Sequence, residues 1–163
     1  MLNHQEIIIE AEYIILKHIF LSFKRLKKME GGFLSIISSK DGSFLFQRPI
    51  GTFDKENEDK YKESSLEKAQ RLFRRLSKNH HSSWQSRNPT KGEWGGSILA
   101  KNLIISFSGL PELHDEAFSL VMATKLDILN YFEAKKIAVT SENETFDILY
   151  NKCNNDIKLM LYK

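Results

Sequence analysis

The chain has 163 residues, of which 41% are hydrophobic, 11% aromatic and 28% charged, the composition of a single globular domain with a packed core. Its 24 Lys and Arg against 21 Asp and Glu leave a formal charge of only +3, too small an excess to indicate a nucleic-acid partner, which normally shows as clustered positive charge. The single cysteine, Cys153, excludes an intramolecular disulfide framework and any zinc site built from several thiolates.

Between Gln5 and Lys28, Ile9, Tyr13, Leu16, Phe20 and Phe23 recur at spacings of four and three, with Ile8, Ile15 and Ile19 widening the stripe. This predicts a long helix with a core-facing or interface side. Lys24, Arg25, Lys27 and Lys28 suit its C-terminus, where the dipole favours cations. Glu10, Glu12, Lys17 and His18 interrupt the apolar run, and no basic region with a small-residue cleavage site opens the chain. The expectation is a soluble, cytoplasmic protein without a membrane partner.

Glu30-Gly31-Gly32 ends that helix, and Asp41-Gly42 then divides two strand-like runs, 33–39 and 43–48, because Asp-Gly readily takes the positive backbone angles of a tight hairpin turn. Residues 49–63 are mostly polar and charged and read as a loop or lid. Ser64 and Glu67 have capping-box spacing, predicting a second helix to about Lys78 with Leu66, Ala69, Phe73 and Leu76 inward. Arg71, Arg74 and Arg75 read as its solvated face. Residues 79–94 lack an apolar period and form an irregular connection. A second hairpin follows, with strands near 96–100 and 103–108 about Lys101-Asn102. Pro111 opens a helix to about Lys136, with Glu112, Asp115 and Glu116 at its positive end and Leu113, Ala117, Leu120, Thr124, Ile128 and Tyr131 or Phe132 inward. In the tail, a strand is expected near 137–140 and a helix near 144–152.

Several short motifs occur in a fixed order: Gln47-Arg48 closing the first hairpin, Ser65 with Lys68-Ala69, His81-Ser82-Ser83, Gly95-Gly96 before the second hairpin, and Ser108-Gly109-Leu110-Pro111 followed by Asp115-Glu116-Ala117. On these residues the stretch from Gly31 to Asn130 resembles the GlcG/HbpS-like superfamily, often labelled the haem-degrading domain, and looks closest to an uncharacterised branch of it. The resemblance implies an α+β, profilin-like fold, an antiparallel sheet flanked by helices, commonly assembled into homo-oligomers. Some members bind or degrade haem. No residue here matches a haem ligand of those members, the connection before Gly95-Gly96 is shorter than theirs, and the tail has no counterpart. The expected organisation is therefore a domain over residues 1–136 with a C-terminal extension over 137–163.

Candidate chemistry is sparse. His80 and His81 are potential metal or haem ligands, but neighbours in extended backbone point to opposite sides and do not serve one ion. Surface histidines are the plainer reading, and His81 is the stronger candidate because it belongs to the His-Ser-Ser run. No Gly-x-Ser-x-Gly elbow accompanies Ser82 or Ser83, and Cys153 has no identifiable partner, which leaves no nucleophile. Gly95 and Gly96 either admit a ligand to the backbone or lead the chain into a strand. Arg48 pairs with a carboxylate or phosphate, or lies on the surface. Phe53, Tyr61, Trp84 and Trp94 occupy loop-like segments and line a ligand site or a subunit contact. The expected pocket comprises Arg48, His81, Ser82, Trp94, Gly95 and Gly96, with no catalytic or metal-binding residue. The expected function is binding of a small molecule or cofactor, haem being the one the resemblance offers, by a homo-oligomer. The alternatives are an interaction module that has lost the pocket and, more remotely, a haem-degrading enzyme.

Overall fold

The computed structural model describes residues 3–19 and 29–161. Two tight hairpins make its sheet. Strands β1 (Glu30–Ser38) and β2 (Phe44–Thr52) turn through Asp41-Gly42, where Gly42 has φ 73°. The Asp41 carboxylate accepts from the Ser43 hydroxyl (2.7 Å) and amide (3.0 Å), which hold its pKa down at about 2. Strands β3 (Ser97–Ala100) and β4 (Leu103–Ser108) turn through Lys101-Asn102, with Lys101 at φ 54°. The hairpins join antiparallel in the order β2-β1-β4-β3.

Alternation along the strands gives the sheet two unlike faces. Leu34, Ile36, Ile98, Ile105 and Phe107 point into the larger core. The other face carries Ile37 and Ile104 together with the buried serines Ser35, Ser97 and Ser106. Helix α2 (Glu58–Phe73) lies on that face through Ala69 and Leu72, and the Ser35 and Ser65 hydroxyls bond at 2.7 Å. Serines are small enough for a helix to approach closely there.

The larger core is covered by α1 (His4–Tyr13, continuing as a π-helical turn over Ile14–Ile19), α3 (Glu112–Lys125), α4 (Tyr131–Thr140) and α5 (Glu144–Leu161). Helix α3 is buried from Asp115 to Ala123. Its Phe118 ring meets Phe107 at 4.2 Å between centroids, a contact that adds about 0.5–1.5 kcal/mol to the burial of two large side chains. At one end of the sheet two backbones touch directly. A Cβ on Gly32 would lie 2.1 Å from the Ser108 carbonyl oxygen, and one on Gly109 (φ 155°) 2.2 Å from that of Gly31. The β4–α3 junction therefore rests on β1 without an intervening side chain.

The antiparallel sheet flanked by helices agrees with the expected fold class, but several elements differ from the sequence reading. The buried side of the first helix is Ile7, Ala11, Ile14, Ile15, His18 and Ile19, while Ile9 and Leu16 are exposed. The widened π-helical turn rotates the stripe, and small Ala11 seats it. The expected continuation through Phe20, Phe23 and the 24–28 basic cluster lies outside the described residues. Glu30 begins a strand instead of ending a helix, and β2 continues to Thr52. Helix α2 starts at Glu58, so Ser64 is an interior residue and not a cap; the charged run read as a lid is the solvent side of this helix. The helix after Pro111 stops at Lys125, because Asp127 turns left-handed (φ 54°) and Asn130 begins a new helix through a capping box with Glu133. Residues 137–140 are helical, not a strand, and the last helix runs on from Glu144 to Leu161. Ile137, Ala138, Phe146, Leu149 and Cys153 from the expected extension are buried in the same core as the sheet.

Candidate functional site

The irregular 80–96 connection is organised by one buried side chain, Arg71 of α2. Its Nη1 donates to the Ser83 and Ser86 carbonyls (3.0 Å each) and to Ser86 Oγ (2.7 Å), its Nη2 to the Trp94 carbonyl, and its Nε to Glu67 (2.7 Å). A planar fork with five donors suits a loop that presents several carbonyls at once. Ser82 and Gln85 form a capping box at the short turn Ser83–Ser86, and Ser83 Oγ accepts from the Ser97 amide (3.0 Å). The loop is thus tied to both α2 and β3.

Trp94 is delivered by this loop to a cleft of about 430 Å³ between α2 and the β4–α3 junction. At its floor Lys68 Nζ donates to Asp115 Oδ2 (2.8 Å) and to the Phe107 carbonyl (3.1 Å), while the Leu110 amide donates to Asp115 Oδ1 (2.9 Å). Both side chains are 2% exposed. Burial pushes the Asp115 carboxyl up to about 6 against the opposing pull of Lys68. Gly96 (φ 128°) passes beside the pair: a Cβ there would lie 2.7 Å from Asp115 Cβ and 3.0 Å from Lys68 Nζ. Its carbonyl accepts from the Phe107 amide (3.2 Å) and Ser119 Oγ (2.8 Å). The position requires glycine.

The walls are Lys60, Tyr61 and Ser64 of α2, Trp94, the junction residues Ser108 to Pro111, and Glu112, with Met29 at the rim. Burial, with the nearby Asp115 charge, pushes the Tyr61 phenol up, so it stays neutral. Glu112 is committed elsewhere: it accepts from the Gly95 amide (2.9 Å) and from Arg87, whose guanidinium lies 4.6 Å over the Trp84 ring. An Asp with a raised pKa is suited to proton transfer, yet both Asp115 oxygens are bonded and enclosed.

A second buried carboxylate lies behind the cleft. Glu116 accepts from Ser82 Oγ, Ser141 Oγ and Asn143 Nδ2 (3.0 Å for the last), joining the loop, α3 and the α4–α5 turn. Burial pushes its carboxyl up, against those three donors.

The six residues expected to form a pocket are divided. Trp94 lines the cleft; Gly95 lies under Trp84 and Gly96 beside the Lys68–Asp115 pair, and neither glycine is in the cleft lining. Ser82 is buried and bonds Glu116 instead. His81 is exposed and lines a different cleft beside α4. Arg48 is exposed on β2, opposite Leu34 and therefore on the α1 side of the sheet, whereas its neighbour Gln47 reaches α2 through the Lys62 carbonyl (3.0 Å). Sequence reasoning missed Lys68 and Asp115 as a pair, because charged residues on a helix face ordinarily meet solvent. The signal available was their place within the Lys68-Ala69 and Asp115-Glu116-Ala117 motifs. Of the four aromatics, Tyr61 and Trp94 line the cleft, Phe53 lies between the Phe33 and Tyr61 rings (5.6 and 5.7 Å), and Trp84 covers Gly95.

Among the described residues, no three His, Cys, Asp or Glu side chains converge as a metal site, and no helix is long and apolar enough to cross a membrane. Comparison with protein-family models, with curated proteins and with solved structures finds no match to this chain.

Proposed function

We propose that the protein binds a small molecule in the cleft floored by Lys68 and Asp115. The observation that carries this reading is the buried ion pair at the base of an otherwise largely apolar concavity. Such a pair gains little stability over apolar packing, and convergent polar groups in an apolar cleft are the usual form of a ligand site. The residues behind the superfamily resemblance also contact one another here: Lys68 bonds Asp115 beside Gly96, and Gln47 bonds Ser35, itself bonded to Ser65. Lys60, Tyr61 and Ser64 supply donors at the walls for a ligand with an apolar body and an accepting group.

Haem fits this cleft poorly. Among the described residues no histidine or cysteine lines it, Met29 stands only at its rim, and Tyr61, which ligates iron as a phenolate, is pushed toward its neutral form. The test is titration with benzoate and with haemin, read from amide chemical shifts and from absorbance. Benzoate is expected to move amides at 60–68, 94–96 and 109–115, with binding lost in Trp94→Ala. Haemin is expected to give no saturable Soret shift. A benzoate titration that leaves these amides unmoved overturns an acidic ligand, and the same result with a panel of neutral aromatics overturns the cleft.

A second reading, self-association, is favoured by exposed apolar pairs seven residues apart on two helices: Ile9 (59% exposed) with Leu16 (46%), and Phe132 (75%) with Val139 (62%). Light scattering on the wild type and on Phe132→Ser/Val139→Ser tests it; a monomer in both sinks this reading.

A further inference from the structure

The cleft that His81 lines is separate from the one above and has a different character. It encloses about 410 Å³ between the β3–β4 turn and α4. Leu99, Leu129 and Ile137 give it an apolar floor, and Lys101 and Lys136 stand at its rim. Neither ammonium is in an ion pair with a described residue. The one acid that lines it, Glu133, is bonded to the Asn130 amide at 2.8 Å in the α4 capping box. More positive charge surrounds the rim. The β1–β2 turn is tied to the β3–β4 turn by Ser39, whose amide donates to the Asn102 carbonyl (2.9 Å) and whose hydroxyl donates to that of Lys101 (3.0 Å), which brings Lys40 alongside. Burial, with Arg75 and Lys78 nearby, pushes down the proton affinity of His80, the neighbour of His81. Lys101 and Lys136 thus stand together at this rim, with Lys40 and the ionised Asp41 on the neighbouring turn.

The walls are also held in place. Helix α4 is fixed to α5 by Asp147, which accepts from Tyr131 (3.0 Å) and Lys135, and His81 is fixed to β3 by the bond from the Leu99 amide to its carbonyl (2.8 Å). From this juxtaposition we infer that the protein has a second binding site, between the β3–β4 turn and α4, for a small organic anion: an apolar body on Leu99, Leu129 and Ile137, with its charged group between Lys101 and Lys136. These two lysines, in no ion pair with a described residue, attract an anion that displaces no existing pair.

The probe is anilinonaphthalene sulfonate, compared with the neutral N-phenylnaphthylamine of similar apolar shape, each followed by fluorescence and by amide chemical shifts. The anion is expected to bind one to one, to bind more tightly than the neutral compound, and to move amides in 99–101 and 129–140. The variant Lys101→Asn/Lys136→Gln is expected to weaken the anion about fivefold and to leave the neutral compound unchanged. Both positions are exposed, and Asn tolerates the left-handed turn. Equal affinity for the two compounds, an unaffected double variant, or shifts confined to 94–96 and 109–115 each overturn the inference. So does the absence of saturable binding.

Discussion

Replacing Lys68 by Met tests the cleft floor through the pH dependence of stability. In the wild type the Asp115 carboxyl titrates near 6 instead of 3.8, a difference of about 3 kcal/mol at about 1.4 kcal/mol per pH unit. The folded state holds this proton more tightly than the unfolded chain. Stability from this group is therefore fully present below the unfolded value, falls as pH rises from 3.8 to about 6, and is level above that. Lys68 opposes the shift by its charge and by its hydrogen bond. Without them the carboxyl rises further, and stability continues to fall beyond pH 6. The gap between wild type and Lys68→Met is expected to widen by about 1.4 kcal/mol per pH unit above about pH 6, toward the 3–5 kcal/mol typical of a broken buried pair, that is about 4 kcal/mol. Urea denaturation followed by circular dichroism between about pH 5 and about pH 8 measures it. Apart from Lys68 itself, the other titrating groups are common to both proteins and largely cancel. Adding Asp115→Asn to the variant should remove the widening. A gap that stays constant across this range would falsify the assignment of Asp115 as a buried carboxylate governed by Lys68.

Gly96→Ala places a Cβ 2.7 Å from Asp115 Cβ at φ 128°, and is expected to lose about 3 kcal/mol from strain and displacement; an unchanged urea midpoint would contradict the close approach. Arg71→Lys keeps the charge but removes the fork, so amides in 83–96 should exchange with solvent faster, by about tenfold or more, while those of β1 and β4 hold. Glu116→Gln turns one acceptor into a donor facing Ser82, Ser141 and Asn143. It should destabilise the fold by about 2 kcal/mol at neutral pH, read from its thermal midpoint.

The hairpins were legible because their turns are local: each places one residue in the left-handed region, Gly42 in the loop 39–43 and Lys101 in the tighter Lys101-Asn102 turn. Helix limits were less so. The apolar period of α3 continues past Lys125, and only the Asn130–Glu133 capping box marks the break. The candidate site was half legible. Trp94, which lines the cleft, stood out because loop aromatics are conspicuous, and Gly95-Gly96 stood out as a glycine pair although it lies outside the lining. Lys68, Arg71, Asp115 and Glu116 did not, because their burial depends on partners 47, 15 and 34 positions away in the chain, which no local pattern encodes. Arg48 was misplaced relative to the cleft for a related reason. Strand alternation puts it across the sheet from its neighbour Gln47, and the choice of face depends on which helix covers which side.

The backbone contact of Gly32 with the β4–α3 junction makes the first cleft unequal in what it can change. On that side the wall is main chain pressed on main chain, where an added methyl would meet a carbonyl at 2.1 Å. On the other side Lys60, Tyr61 and Ser64 project from the surface of α2 and Trp94 from a loop, all partly or wholly exposed. Drift in the sequence, or deliberate redesign, can alter the shape and charge presented to a ligand from the helix and loop while the opposite wall stays as a fixed template. The shape and charge of the cleft in descendants of this chain should therefore vary through four side chains on one bank.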